Sequence, residues 1–215
     1  MRVPQRGDKR TLMETVRRTF QLAHVMASWA GAVGSPNERV LRYLTLRTDE
    51  DLRRSTELVN ENRRLLHELY EYRKEENPRV TGVDALYASI TAQFIDKEEH
   101  NAALRKVLAE LPSQPNNRIE GVRFMTIGSE NDDISFMAMV ESVGSTIVID
   151  DQCSGTRNFW NEARIQEDPI ATIADRYCER PACPTKDYPA HTRFDHVLKL
   201  AKDYNARAAV FLQQK

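Results

Sequence analysis

Along the first 112 residues, apolar positions return every three or four residues, the spacing that lines one face of a helix. Leu12, Val16 and Phe20 form the first such series, and Gly31, Gly34 and Pro36 break it. Thr48 then opens a longer helix with Asp49, Glu50 and Asp51 in its first turn, where carboxylates meet the positive end of the helix dipole. That helix is predicted to run to about Glu76. Leu52, Val59 and Leu66 mark its stripe, and Leu58, Leu65, Leu69 and Tyr72 widen it; Asn77-Pro78 ends it. A short helix over Val83–Phe94 follows. An amphipathic one comes next, with Leu104, Val107, Leu108 and Leu111 on its apolar face.

Residues 113–118 are loop-like and set a boundary between a helical segment, 1–112, and a second part, 119–215. There the pattern alternates. Val122 to Ile127 reads as a strand ending at Gly128; Phe136, Val140 and Val143 mark a helix; Thr146 to Ile149 is a second, β-branched strand. Ile170–Tyr177 is predicted helical. Phe194, Val197, Leu198 and Ala201 mark another helix, and Ala208 to Leu212 a third strand. Strand–helix–strand alternation predicts an α/β fold with a parallel sheet and right-handed crossovers. Three strands make a thin sheet, so the sequence reads as part of a longer protein.

Composition narrows the function classes. Of the 215 residues 40% are hydrophobic and 29% charged, which allows an ordinary core. A net charge of −1 gives no electrostatic ground for a nucleic acid or an anionic membrane as partner. No apolar run approaches the roughly 20 residues that span a bilayer. The first ten residues have no apolar stretch behind their charges and do not read as a secretory signal. Three cysteines without dense spacing suit a reducing cytoplasm better than a disulfide framework.

Chemistry concentrates in one place. The second strand meets Asp150-Asp151, and a polar loop with Cys153, Ser154, Gly155, Thr156 and Arg157 follows. In open α/β sheets, ligands bind just beyond the carboxyl ends of the strands. Two carboxylates, a thiol, two hydroxyls and a guanidinium at that point are the default site. The same residues also allow a capping network in which Asp151 and Arg157 simply pair.

Other motifs are weaker. Gly128-Ser129-Glu130-Asn131 lacks the glycine and lysine pattern of a phosphate loop, and reads more simply as a turn capped by Asn131, Asp132 or Asp133. Cys178 and Cys183, separated by four residues, have no second pair to complete a metal site, and we assign no metal ligand. His191 and His196 are expected in solvated or capping roles. Phe159 and Trp160 are expected to cover a sheet edge.

The stretch FMAMVESVGSTIVIDDQCSGTRNFW, residues 136–160, strongly resembles the 2-hydroxyacyl-CoA dehydratase and benzoyl-CoA reductase family. So do NENRRLLHELY at 60–70, the run from Asp175-Arg-Tyr to RPACP at 180–184, FDHVLKLAKDY at 194–204 and VFLQQK at 210–215. The last two look nearest to a dehydratase-like subunit of ATP-dependent benzoyl-CoA reductases. The resemblance implies two flavodoxin-like domains with a helical part, a related partner subunit and an acyl-CoA substrate. It further implies a cysteine-bound [4Fe–4S] cluster and a separate ATP-hydrolysing activator that delivers electrons. The family's cluster cysteines lie in another domain and in a Phe-Cys-Asp-Pro motif that would follow the third strand, so this chain is expected to hold none of them.

The reading is therefore a helical segment and a partial flavodoxin-like α/β domain of a cytoplasmic acyl-CoA enzyme. Arg157, Asp151 and Cys153 are its catalytic candidates, and Ser154, Gly155 and Thr156 line the substrate site. Ring reduction of benzoyl-CoA is preferred over 2-hydroxyacyl-CoA dehydration. The rival of another class is a non-catalytic flavodoxin-like binding or assembly module.

Overall fold

A computed structural model describes residues 48–114, 116, 121–183, 187 and 191–213. The helix read at Leu12, Val16 and Phe20, and its break at Gly31, Gly34 and Pro36, lie outside the described residues. The elements are α1 (Asp49–Glu71), α2 (Gly82–Phe94), α3 (Lys97–Glu110), β1 (Val122–Gly128), α4 (Ile134–Ser142), β2 (Ser145–Asp151), α5 (Thr156–Phe159), α6 (Pro169–Glu179), α7 (Thr192–Asp203) and β3 (Ala208–Leu212). Single 3-10 turns follow α1 at Tyr72–Lys74 and α3 at Leu111–Ser113. Thr48 does start α1: its hydroxyl accepts from the Asp51 amide at 3.1 Å, and Asp51 Oδ2 accepts from the Thr48 amide at 3.1 Å. The α-helix stops at Glu71, short of the predicted Glu76.

The described residues divide into two compact units, those up to Asn60 with those of 161–179, and those of 61–160 with those from Arg180 onward. In the first, Asn60 closes two hydrogen bonds on the Ala163 backbone, donating to its carbonyl at 2.7 Å and accepting from its amide at 2.8 Å. Asp168 caps α6 through the Ile170 amide at 2.8 Å.

The second unit holds the sheet, with strand order β2-β1-β3 and both pairings parallel. That is the strand order at the switch point of a flavodoxin-like fold. One core contains Met125, Ile127, Val148 and Ile149 with Leu66, Leu69, Tyr70, Leu104, Leu108 and Leu200; a second joins Ile147 and Phe124 to Leu86 and Met137. The register slips once between Phe124 and Met125. Gly144, at φ 86°, makes the turn into β2 in a conformation that disfavours side chains.

Among the described residues β2 is an edge strand, and at Ile147 side chains cover its open side. Arg73, 1% exposed, donates to the Ile147 carbonyl at 2.8 Å, and Glu141 Oε1 accepts from the Ile147 amide at 3.1 Å. Both backbone groups of an edge residue are thereby satisfied, which removes an invitation to strand addition.

Several helix faces differ from the predicted stripes. On α4 the buried residue is Met137, while Val143 is exposed; on α3 Val107 is exposed and His100 and Asn101 are buried. On α7 Leu200 is buried, whereas Phe194 and Leu198 face solvent. The sheet side decides which face is covered, and a short apolar series leaves that choice open by one position. Phe159 is a core residue rather than an edge cover, with its ring 4.9 Å from Tyr70 and 5.3 Å from His67.

Candidate active site at the carboxyl ends of the first two strands

β2 runs through both carboxylates, so Asp150 and Asp151 are its last two residues and not the start of the loop. Alternation along a strand sends them to opposite faces, and they do different work. Asp150 holds the loop. Its Oδ1 accepts from the Thr156 amide at 2.8 Å and its Oδ2 from the Tyr70 hydroxyl at 2.8 Å. Its backbone carbonyl accepts from Thr156 Oγ1 at 2.6 Å. Arg73 Nη1 lies 3.8 Å from the same carboxylate. Burial first, and the Asp150 charge next, push the Tyr70 phenol well above its ordinary range, which keeps it a proton donor. Gly155 is required here because a Cβ at that position would collide with the Asp150 carboxylate.

Asp151, fully buried, faces two guanidiniums. Arg157 Nη1 is 3.5 Å from Asp151 Oδ2, and Arg193 reaches the same oxygen. Arg157 is itself 3% exposed. Its Nη2 donates to the Gly128 carbonyl, to the Ser129 carbonyl at 3.1 Å and to Cys153 Sγ at 3.3 Å. One side chain thus ties the end of β1 to the end of β2. Asp151 Oδ1, Arg157 Nε and Arg193 Nε make no hydrogen bond among the described residues.

The loop is stitched to the turn after β1. The Cys153 amide donates to the Ser129 carbonyl at 2.6 Å. Ser154 Oγ donates to the Asn131 carbonyl at 2.8 Å and accepts from the Asn131 amide at 3.1 Å. Asp133 is the residue that caps α4, accepting from the Phe136 amide at 2.8 Å. The 128–131 turn is therefore filled by protein side chains and backbone, as a strand-to-helix connection.

Beside this network lies a cavity of about 250 Å³ lined by Glu130, Cys153, Arg157, Arg180, Pro181 and Cys183. Of the predicted residues, Arg157 and Cys153 reach it. Thr156 and Asp151 are fully buried and do not line it, Ser154 is turned to Asn131, and Gly155 makes room for Asp150.

The sequence did not single out Tyr70, Arg180, Arg193 or, at this place, Cys183. Tyr70 lay inside the 60–70 motif, and Arg180 and Cys183 inside RPACP; Arg193 carried no signal. His191 is exposed with φ 49° and makes no side-chain cap to α7. His196 is neither solvated nor capping. It is half-buried, its ring 5.2 Å from Trp160, and burial holds it below the ordinary imidazole range against the pull of Asp151.

Among the described residues no three Cys, His, Asp or Glu side chains converge as a metal site. Two thiols at one cavity do not match the four thiolates of a typical cubane cluster. No helix of the described residues is long and apolar enough to cross a membrane.

The described residues thus show an α/β fold, a parallel sheet in 2-1-3 order with a polar loop and a buried arginine at the carboxyl ends of its first two strands. Comparison with known proteins makes the class specific. The family model for the 2-hydroxyglutaryl-CoA dehydratase D-component matches residues 45–215, and the chain belongs to that family. It is 24% identical over 168 residues to the (R)-phenyllactyl-CoA dehydratase beta subunit of Clostridium sporogenes, covering 78% of this chain and 45% of that one. It is 29% identical over 129 residues to a subunit of the benzoyl-CoA reductase of Thauera aromatica, covering 59% of this chain and 33% of that one. The chain spans less than half the length of the curated relatives it matches.

Proposed function

We propose that this chain is part of a subunit of a cytoplasmic acyl-CoA enzyme that reduces the aromatic ring of benzoyl-CoA. Within that subunit, residues 1–112 form its helical segment and 119–215 part of a flavodoxin-like domain. The single observation that carries the reading is Arg157, a buried guanidinium fastened to two strand ends and presented to a cavity at the site that such sheets use for ligands. A fixed cation at that place stabilises negative charge developing on a bound acyl thioester without reorganising. Cys153 shares the cavity wall, and Asp151 orients Arg157 from beneath. Ser154, Gly155 and Thr156 set the loop's shape.

The resemblance adds a related partner subunit, a [4Fe–4S] cluster and an ATP-hydrolysing activator to the complete enzyme. We assign none of the cluster's ligands to this chain, and the contribution we propose for it is charge, orientation and shape. Nucleic acid and membrane have no part in the reading.

The experiment is anaerobic turnover by the complete subunit, its partner and an activator with ATP, supplied with benzoyl-CoA and with an (R)-2-hydroxyacyl-CoA in parallel. Loss of aromatic absorbance with benzoyl-CoA is expected. Turnover of the hydroxyacyl-CoA alone would replace ring reduction by dehydration, the reading that the phenyllactyl-CoA dehydratase relative favours. Turnover of neither would leave the non-catalytic module.

A further inference from the structure

Cys153 and Cys183 stand 30 positions apart in the sequence yet line one cavity of about 250 Å³. Both are thiols and both are half-buried. Their settings differ in a way that assigns roles. Cys153 is held by its own amide on the Ser129 carbonyl at 2.6 Å, and Arg157 Nη2 donates to its sulfur at 3.3 Å. That donor and the backbone contact hold the Cys153 sulfur in one place at the cavity wall, which suits it to attack first in thiol–disulfide exchange. Cys183 lies outside any helix or strand, in the segment after α6, where backbone adjustment is inexpensive. Cys178 sits on α6 and is not among the residues lining the cavity.

We propose that Cys153 and Cys183 are a reactive dithiol that a low-molecular-weight disulfide, such as oxidised glutathione, converts to an intramolecular disulfide. The Cys153 thiolate attacks one sulfur of the reagent, forming a mixed disulfide and releasing one thiolate. The Cys183 thiolate then attacks Cys153 Sγ and releases the second. Two protein thiols are oxidised and one reagent disulfide is reduced to two thiols; the two protons leave with them. The inference concerns sulfur chemistry alone and does not depend on the acyl-CoA reading.

The test is anaerobic incubation of the reduced 215-residue chain with oxidised glutathione, followed by thiol counting, intact mass and peptide mapping. Loss of two of the three thiols is expected. The mass falls by two hydrogens, one cross-linked peptide pair joins Cys153 to Cys183, and dithiothreitol reverses the change. Cys183→Ser should trap one glutathione on Cys153, and Cys178→Ser should behave as wild type. Three thiols surviving, a glutathione adduct on wild-type Cys153 that persists, or a link to Cys178 would each overturn the proposal. The wild-type map alone is decisive if a variant does not fold.

Discussion

Asp151→Ala tests the buried network most directly. The Asp151 side chain is 0% exposed, and its two partners are 4% exposed for Arg157 and 14% for Arg193. Removing the carboxylate leaves two cations in a place water hardly reaches. Deleting one member of a buried ion pair costs about 3–5 kcal/mol, mostly the uncompensated charge. Arg157 keeps two backbone carbonyls, and Arg193 has a partial route to solvent, so the lower end, about 3 kcal/mol, is expected. That is a large share of the roughly 5–15 kcal/mol that holds a domain folded. With a urea slope of about 1–3 kcal/mol/M, the unfolding midpoint followed by far-UV circular dichroism should fall by about 1–3 M. Adding Arg193→Met to Asp151→Ala should recover part of the loss, because one of the stranded charges is gone. A loss below about 1 kcal/mol, the range of exposed pairs, would refute the reasoning, as would strictly additive single and double variants.

Gly155→Ala drives a methyl group into the Asp150 carboxylate and should cost about 1–3 kcal/mol by overpacking, read from the same urea midpoint; Asp150→Ala in that background should relieve most of the strain, and additive losses would count against the collision. Burial holds His100 and His196 below the ordinary imidazole range, so the fold favours their neutral forms; stability is full above about pH 6.5 and should fall as the pH drops through and below it. His100→Gln should flatten that slope, and a midpoint that rises on acidification would contradict the sign. Arg157→Lys should cut anaerobic turnover of the complete enzyme at least tenfold while lowering the urea midpoint less than Arg157→Ala does; equal losses in both assays would reject a role beyond folding.

The three strands were legible as short runs rich in apolar and β-branched residues, Val122–Ile127, Thr146–Ile149 and Ala208–Leu212, although of these only β2 is buried along its whole length. The site loop was legible for the same reason, since a polar run after a buried strand marks its carboxyl end. Helix faces were less so. Thr56, Asn60, Asn62, Arg73 and Asn101 are buried polar residues that a hydrophobic stripe omits. Arg123 shows why: it is 4% exposed on β1, and its guanidinium is absorbed by the carbonyls of Arg73, Glu75 and Tyr204. Such partners are set by the tertiary fold, and local periodicity carries no trace of them. The site repeats the lesson. Within the loop, Thr156 on Asp150 and Arg157 on Asp151 were within reach of the sequence; Tyr70 meets Asp150 across 80 positions and Arg193 meets Asp151 across 42, so each carboxylate also has a partner outside the loop that drew attention to it.

On the proposed reading, one geometry lets Arg157 be structural and functional at once. The carbonyls of Gly128 and Ser129 and the Asp151 carboxylate fasten the guanidinium, and those contacts stabilise the junction of β1 and β2. The same contacts strip water from the cation during folding and fix its direction toward the cavity. A charge already desolvated and aimed interacts with a developing anion in a low dielectric, with no solvent shell left to reorganise. Folding energy is in this sense stored as preorganisation. Asp151 moderates the effect, since a carboxylate 3.5 Å away offsets part of the field of Arg157, and Arg193 on the same oxygen restores it. The three groups carry one net positive charge between them, and Arg157 is the one that lines the cavity. A lysine at 157 keeps the charge but loses the planar fork, in which Nη2 meets two carbonyls and a sulfur while Nη1 faces Asp151, so it loses aim before it loses the ion pair. That ordering, orientation lost first and stability second, is what a binding site built on a folding contact requires.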